Sequence, residues 1–215
     1  MGRPRLGTRA GTPRHRARRG EGHELRAHIL EAAEHLLVKG GSEEAVSIRA
    51  VAQRCGVTPP AIYLHFADKS ELIFAVCQAR FAEFDAVLEA AARGASDPVE
   101  ELRARLRAYV TYGLDNPEHY RVLFMTGPRT KPDWVTDSDL VGMAEFGRLV
   151  ANVERIRAAG LARTDDPFGT AIALWAAAHG ITSLLLSMPN FPWPDVAEVV
   201  DQVGDLVTKG LLARD

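Results

Sequence analysis

Cysteine is scarce in this chain: Cys55 and Cys77 are the only two among 215 residues, and neither stands in a metal-ligand spacing. A disulfide framework and a zinc module are thereby disfavoured, and a reduced, cytoplasmic setting is expected. No Ser/His/Asp arrangement, HExxH or Gly-rich phosphate loop occurs, and the seven histidines are scattered, so no enzyme, metal site or cofactor is expected. No stretch alternates polar and apolar residues at period two for long enough to make a strand, which leaves an all-α fold. Repeats are absent as well. Residues 168–194 contain no Asp, Glu, Lys or Arg. That length would cross a bilayer. Thr170, His179, Thr182, Ser183 and Ser187 interrupt it, however, and the nearest basic residues, Arg163 and Lys209, form no juxtamembrane flank. A helix buried by its own core and a partner subunit is expected there, not a membrane span. Lysine is rare beside arginine, four against 22, which with abundant alanine fits a GC-rich bacterial genome.

What remains is ordinary for a globular protein: 47% hydrophobic and 25% charged residues, enough chain to bury a substantial core in one large domain or two small ones. The net charge of −2 conceals an asymmetry. Residues 1–20 hold seven arginines (Arg3, Arg5, Arg9, Arg14, Arg16, Arg18, Arg19) and no acid, leaving −9 on residues 21–215. A basic, Gly/Pro-rich arm, expected to be disordered, suits DNA phosphates or a narrow minor groove; the alternative is a solvated tail without a role. No apolar run follows its arginines, so it is not a secretion signal, and Leu6 breaks the N-myristoylation pattern.

Helical periodicity fills the body. Leu25, Ile29, Ala32, Ala33, Leu36 and Leu37 make one stripe that Gly40-Gly41 ends. Residues 69–92 form a long helix, Asp97-Pro98-Val99-Glu100 opens another that runs to about Asp115, and Asn116-Pro117 restarts it. A loop rich in Pro and Asp leads to helices near 138–159, 167–188 and 194–213.

Residues 47–66 carry the strongest signal. Ile48, Val51 and Ala52 repeat at helical spacing behind a Ser47 N-cap, Gly56 allows the left-handed backbone of a tight turn, and Val57 can plug the core. Thr58 is expected to cap the next helix with Pro59 in its first turn, while Ala61, Ile62, Leu64 and Phe66 supply apolar contacts. This is a helix-turn-helix whose second helix would enter a major groove. Arg49 either reaches a phosphate or pairs with Glu43 or Glu44.

The string SIRAVAQRCGVTPPAIYLHF followed by ADKSEL, with the helix before it, resembles the DNA-binding region of the TetR family of bacterial transcriptional regulators over about 60 residues. The resemblance implies that Thr58, Pro59 and Pro60 lie near base edges and that Tyr63, His65, Lys69 and Ser47 hold phosphates. Pro59-Pro60 departs from the small or charged residues often found there, so the base preference is not transferable. Proline offers no side-chain hydrogen bond, which favours Thr58 and apolar contacts to thymine methyls. Residues 1–20 are thus expected as the basic arm, 21–81 as the DNA-binding domain and 82–215 as an effector-binding and dimerisation domain.

Trp175, His179 and Gly180, with NPEHYRVLF upstream, resemble one TetR subfamily with a Trp-x-x-x-His-Gly C-terminal domain. It implies that the last two long helices pair with their symmetry mates, giving a homodimer that suits a palindromic double-stranded DNA operator. Ala176, Ala177 and Gly180 would allow close approach; Leu184, Leu185, Val196, Val199, Val200, Val203 and Leu206 would supply the interface. Tyr109, Tyr112, Phe124, Met125, Phe146, Val150, Trp175 and His179 are candidates for contact with a small-molecule effector, since pockets between helices are mostly apolar with a few polar anchors. The expected mechanism is a two-state dimer in which the effector favours a state with misplaced recognition helices. Repression is what the family resemblance implies. The rival reading is a constitutive nucleoid-type DNA-binding protein without an effector, for which the arginine arm argues.

Overall fold

Five of the described helices begin where a side chain supplies an acceptor for their first N–H groups. The computed structural model describes residues 21–124, 135–136 and 142–212; the basic stretch 1–20 and Met125 lie outside the described residues. Among those described, the chain forms α1 (Glu21–Gly40), α2 (Ile48–Cys55), α3 (Pro59–Tyr63), α4 (Lys69–Ala92), α5 (Pro98–Asp115), α6 (Pro117–Phe124), α7 (Met143–Ala158), α8 (Pro167–Ser187) and α9 (Val196–Leu211), with a 3-10 turn at Glu43–Ala45. The sole extended pairing among them is an isolated bridge between Ala162 and Leu212. Asp68 accepts from the Glu71 amide, Asp97 from Val99 and Glu100, Asp166 from Gly169 and Asp195 from Glu198. Each such cap satisfies a donor that the helix itself cannot and contributes about 1 kcal/mol. Pro98 and Pro167 occupy first-turn positions where a missing N–H costs little.

Two buried clusters divide the interior. The first joins Ile29, Ala33 and Leu37 of α1, Val51 and Ala52 of α2, Ile62 of α3 and Phe66 to Leu72, Ile73, Val76 and Cys77 on the first half of α4. The second joins Phe84 and Leu88, further along α4, to Leu102, Leu106, Tyr109 and Tyr112 of α5, Tyr120 of α6, Val153 and Ile156 of α7, and Leu174 and Ala178 of α8. Two helices therefore belong to both: α4, and α6, whose Val122 packs in the first cluster while Tyr120 and Leu123 pack in the second. Because packed interiors leave little slack, a shift of either helix is felt on both sides.

The charge-free stretch forms α8, which is long and apolar enough to cross a membrane by length and composition alone. It is packed on α5, α7 and α9 through Ala171, Leu174, Ala178, Ile181, Thr182 and Leu185. Its other side leaves Ile172, Trp175, Leu184 and Met188 exposed. Leu185 is therefore a contact within the chain, in contrast to the expectation that it faces a partner, because it packs in a small cluster with Val110 and Ile181. Both thiols are free; burial pushes Cys77 up to about 12, and Cys55 Sγ approaches the His28 carbonyl at 3.5 Å.

Candidate nucleic-acid interface and aromatic core

The turn between α2 and α3 is built from local chemistry. The Ser47 hydroxyl accepts from the Ala50 amide at 3.2 Å and opens α2. Gly56 closes it with φ +68°, and the Val57 amide returns to the Ala52 carbonyl at 3.0 Å, so a Cβ at Gly56 would be strained by backbone conformation alone. At α3 the structure corrects the sequence reading twice. Thr58 stands at the N-cap but its side chain makes no capping bond. Pro59 and Pro60 have no N–H to offer, and the first available donor, the Ala61 amide, is taken by the Thr58 carbonyl at 2.9 Å. Leu64 is no core residue: it is 83% exposed, because α3 ends at Tyr63 and the helical stripe does not continue through it.

Ile62 and Phe66 are buried and fix the inner side of this segment. Ser47, Arg49, Thr58, Pro60 and Tyr63 are exposed, Tyr63 by 54%, while Pro59 and His65 are half-buried. Lys69 is already engaged: its ammonium donates to the Glu43 carbonyl at 3.2 Å and stands 4.0 Å from the Glu43 carboxylate, bracing the start of α4 on the 3-10 turn. Arg26 of α1 is exposed, and its guanidinium lies 5.0 Å over the Phe66 ring, a contact between distant positions that sequence spacing does not reveal.

In the second cluster, helices α5, α6, α7 and α8 bring aromatic rings from distant parts of the chain together. Tyr109, Tyr120, Phe124, Trp175 and His179 form one connected set, with Phe124 centred 4.8 Å from Tyr120, 5.2 Å from His179 and 6.3 Å from Trp175. Phe146 joins through Trp175 at 6.0 Å and carries Phe168 at 5.3 Å. The polar atoms of the set are linked as well. His179 Nδ1 lies 2.7 Å from the Tyr120 hydroxyl and 3.3 Å from that of Tyr109, and Trp175 Nε1 donates to the Tyr109 hydroxyl at 3.3 Å. Burial raises the pKa of both phenols and lowers that of His179, so all three are held neutral near pH 7.

Of the residues nominated from sequence, Tyr109, Phe124, Phe146, Trp175 and His179 meet in this set. Val150 packs against the second cluster as a whole, while Tyr112 is buried against Phe84, centred 5.1 Å away. Tyr120 and Phe168 were not nominated. The separation of 59 residues between Tyr120 and His179 has no periodic signature, which is why spacing could not find the pair. A separate cavity of about 400 Å³ between α8 and α9, lined by Arg163, Thr164, Thr170 and Leu211 among others, contains none of the nominated residues.

Two family descriptions match the chain: bacterial regulatory proteins of the tetR family over residues 29–76, and a tetracyclin repressor-like C-terminal domain over residues 102–206. The HTH-type transcriptional activator FasR of Mycolicibacterium smegmatis is 31% identical over 109 residues, 51% of this chain and 49% of that protein. The HTH-type transcriptional regulator AcrR of Shigella flexneri is 36% identical over 139 residues, 63% of this chain and 62% of that protein. The chain thus spans about half to three fifths of the length of these curated relatives. A solved structure of a protein of unknown function from Rhodococcus sp. RHA1, 28% identical, superposes with a TM-score of 0.75 over 94% of this chain and 100% of that one. Matched in its helix-turn-helix and again in its C-terminal half, together more than two thirds of its length, the chain belongs to the TetR family of bacterial regulatory proteins.

Proposed function

We propose that the chain is a cytoplasmic, homodimeric transcriptional repressor that binds a palindromic DNA operator and leaves it when a small-molecule effector enters the aromatic set, with no catalytic role. The reading divides the chain at residues 81 and 82 into a DNA-binding and an effector-binding, dimerising part, ahead of which residues 1–20 act as a basic arm. One observation carries it: α3 has Ile62 locked in the core while Thr58, Pro60 and Tyr63 stand out on the other side. A short helix so held is a rigid probe for a groove. Thr58, Pro59 and Pro60 meet base edges, and Ser47, Arg49, Tyr63 and His65 hold phosphates; Lys69 contributes its charge from the Glu43 brace. Residues 21–69 carry more acids than bases, so the arginine arm supplies much of the salt-dependent affinity. Two-fold pairing through the outer faces of α8 and α9 presents two recognition helices to two half-sites. The effector acts through α4 and α6, the helices shared by both interiors.

The test is binding to palindromes in the DNA flanking the gene, measured by fluorescence anisotropy against random competitor. Specific binding roughly a thousandfold or more above random DNA is expected, with Tyr63→Ala reducing it at unchanged fold. Equal affinity for random DNA would replace the reading by a nucleoid-type binder. Deleting residues 1–20 is expected to flatten the slope of log K against log salt by up to about six if all seven arginines engage phosphates.

A further inference from the structure

The hydrogen-bond chain in the aromatic set has a direction. Trp175 Nε1 can only donate, and it does so to the Tyr109 oxygen at 3.3 Å. The Tyr109 and Tyr120 hydroxyls then converge on one atom, His179 Nδ1, at 3.3 and 2.7 Å. An imidazole nitrogen lone pair is a better acceptor than a phenol oxygen, and a phenol O–H a better donor than an imidazole N–H, so the short 2.7 Å contact runs from Tyr120 to Nδ1. The competing acceptors for Tyr120, the His179 carbonyl and the Tyr109 oxygen, are farther off, at 3.4 and 3.5 Å. A neutral ring that accepts at Nδ1 carries its proton at Nε2. That N–H points away from the phenols and has no acceptor among the described residues, while the ring itself stands 5.2 Å from Phe124 and 6.2 Å from Trp175.

We infer that His179 presents an N–H to the effector, and that the effector is an apolar molecule bearing a hydrogen-bond acceptor such as a carbonyl oxygen. This rests on the effector site proposed above and names its ligand class. The apolar body follows from the part-exposed rings of Phe124, Phe146, Phe168 and Trp175, and from α8, whose residues 168–187 include no charge. An acceptor follows because a ligand donor would face a donor and leave both unpaired when desolvated. Glu145, beside Phe146, would favour an ammonium instead if it ionised, and that is the alternative the experiment must separate.

The experiment uses the full chain without DNA. Two-bond ¹⁵N correlation of the histidine rings reads the tautomer, and ligand titration compares octan-2-one, oct-1-ene and octylammonium, which share an apolar tail. The expected result is an Nε2–H tautomer at His179 and at least tenfold tighter binding of the ketone than of either other probe, a difference of about 1.4 kcal/mol. His179→Phe keeps a ring and loses the donor, and should bring the ketone down to the level of the alkene; His179→Gln retains an N–H and should restore part of the preference. An Nδ1–H tautomer, equal affinities, tighter octylammonium, a preference unchanged in His179→Phe, or no binding by any probe overturns the inference. Operator release is measured separately: ketone binding without release leaves this chemistry standing and refutes the effector-release reading.

Discussion

His119 of α6 and Glu34 of α1 meet between the two interiors, Nε2 to Oε1 at 3.6 Å, and Arg80 of α4 approaches the same carboxylate oxygen with Nε at 3.5 Å. Three helices thus share one polar contact. Glu34 Oε1, Arg80 Nε and His119 Nδ1 are buried there without hydrogen-bond partners among the described residues, and so is the Tyr112 hydroxyl. Buried polar groups left short of partners are costly, which makes the arrangement sensitive to small displacements. The next residue after His119 is Tyr120, whose hydroxyl binds His179. Adjacent positions on one short helix therefore touch α1 on one side and the aromatic set on the other.

The first prediction follows from that adjacency. Glu34→Gln and His119→Gln should each alter operator affinity although neither residue lies on the α3 surface, and the double mutant should depart from additivity by about 0.5–2 kcal/mol. The measurement is a double-mutant cycle on operator Kd, with thermal unfolding as the control for fold. Additivity within about 0.3 kcal/mol would remove the contact from any coupling role.

Glu145 gives a prediction about pH. Burial is the main cause that raises its carboxyl from 4.5 to about 7; Asp85 adds to this, while Arg105 and Arg148 oppose it. In this window the folded state holds a proton that the unfolded state has released, so stability must fall as pH rises from about 4.5 to about 7 and stay at the lower level above that. The loss attributable to this group is on the order of 2 kcal/mol after allowance for partial solvent access. Glu145→Gln keeps the neutral shape and should flatten that part of the profile, raising stability at pH 8 by a similar amount. Chemical denaturation from pH 4 to 8 checks it; an unchanged profile would show that the carboxyl is not held neutral.

How much of this was legible in the sequence depends on range. Asp97-Pro98 and Gly56 speak through residues one to four positions away, so the start of α5 and the turn before α3 could be read directly. The cap at Thr58 failed because two consecutive prolines removed donors that a cap would satisfy, and the structure gives the next one, the Ala61 amide, to the Thr58 carbonyl. Leu64 failed because a helix of five residues has too little period to extrapolate. The aromatic nominees gathered on the strength of composition and a family resemblance. The direction of the hydrogen bonds, the place of Tyr120 and the contact of His119 with Glu34 depend on pairs 59 and 85 positions apart, and no spacing rule encodes those.

Gly113 tests how tightly Tyr120 is held. A Cβ built on this buried glycine would approach Thr182 Cγ2 within 2.4 Å and Tyr120 Cδ2 within 3.0 Å, so both must move. The Thr182 methyl stands in the closer contact and must shift although its hydroxyl, donating to the Ala178 carbonyl at 2.7 Å, ties it down, and the tyrosine ring beside it must give way as well. Gly113→Ala gains helix propensity and should nonetheless destabilise the protein by about 1–3 kcal/mol, the usual range for overpacking. It should also shift the His179 ring resonances, because Tyr120 is their nearest hydrogen-bond partner. A stabilised variant with unchanged histidine resonances would show that the site absorbs a methyl group without moving Tyr120.

The proposed homodimer makes the last prediction. Leu206 is 73% exposed on α9, and Leu184, Met188 and Val196 are exposed on or beside α8 and α9, an unusual display of large apolar side chains for a free surface. Leu206 faces outward and adds little to the core of its own chain, so replacing it should cost the monomer almost nothing. In a two-fold interface each substitution counts twice. Losing about 2 kcal/mol of leucine burial per subunit, about 4 kcal/mol per dimer, corresponds to roughly a thousandfold rise in the dimer dissociation constant. Leu206→Asp adds a carboxylate that would have to be desolvated opposite its own symmetry mate, which strengthens the effect. Sedimentation velocity should then find a monomer with the thermal stability of a folded chain, and operator binding should fall because one recognition helix engages one half-site. If the variant still sediments as a dimer, α9 is not at the interface; if the parent protein is a monomer at micromolar concentration, the two-fold reading of the operator fails with it.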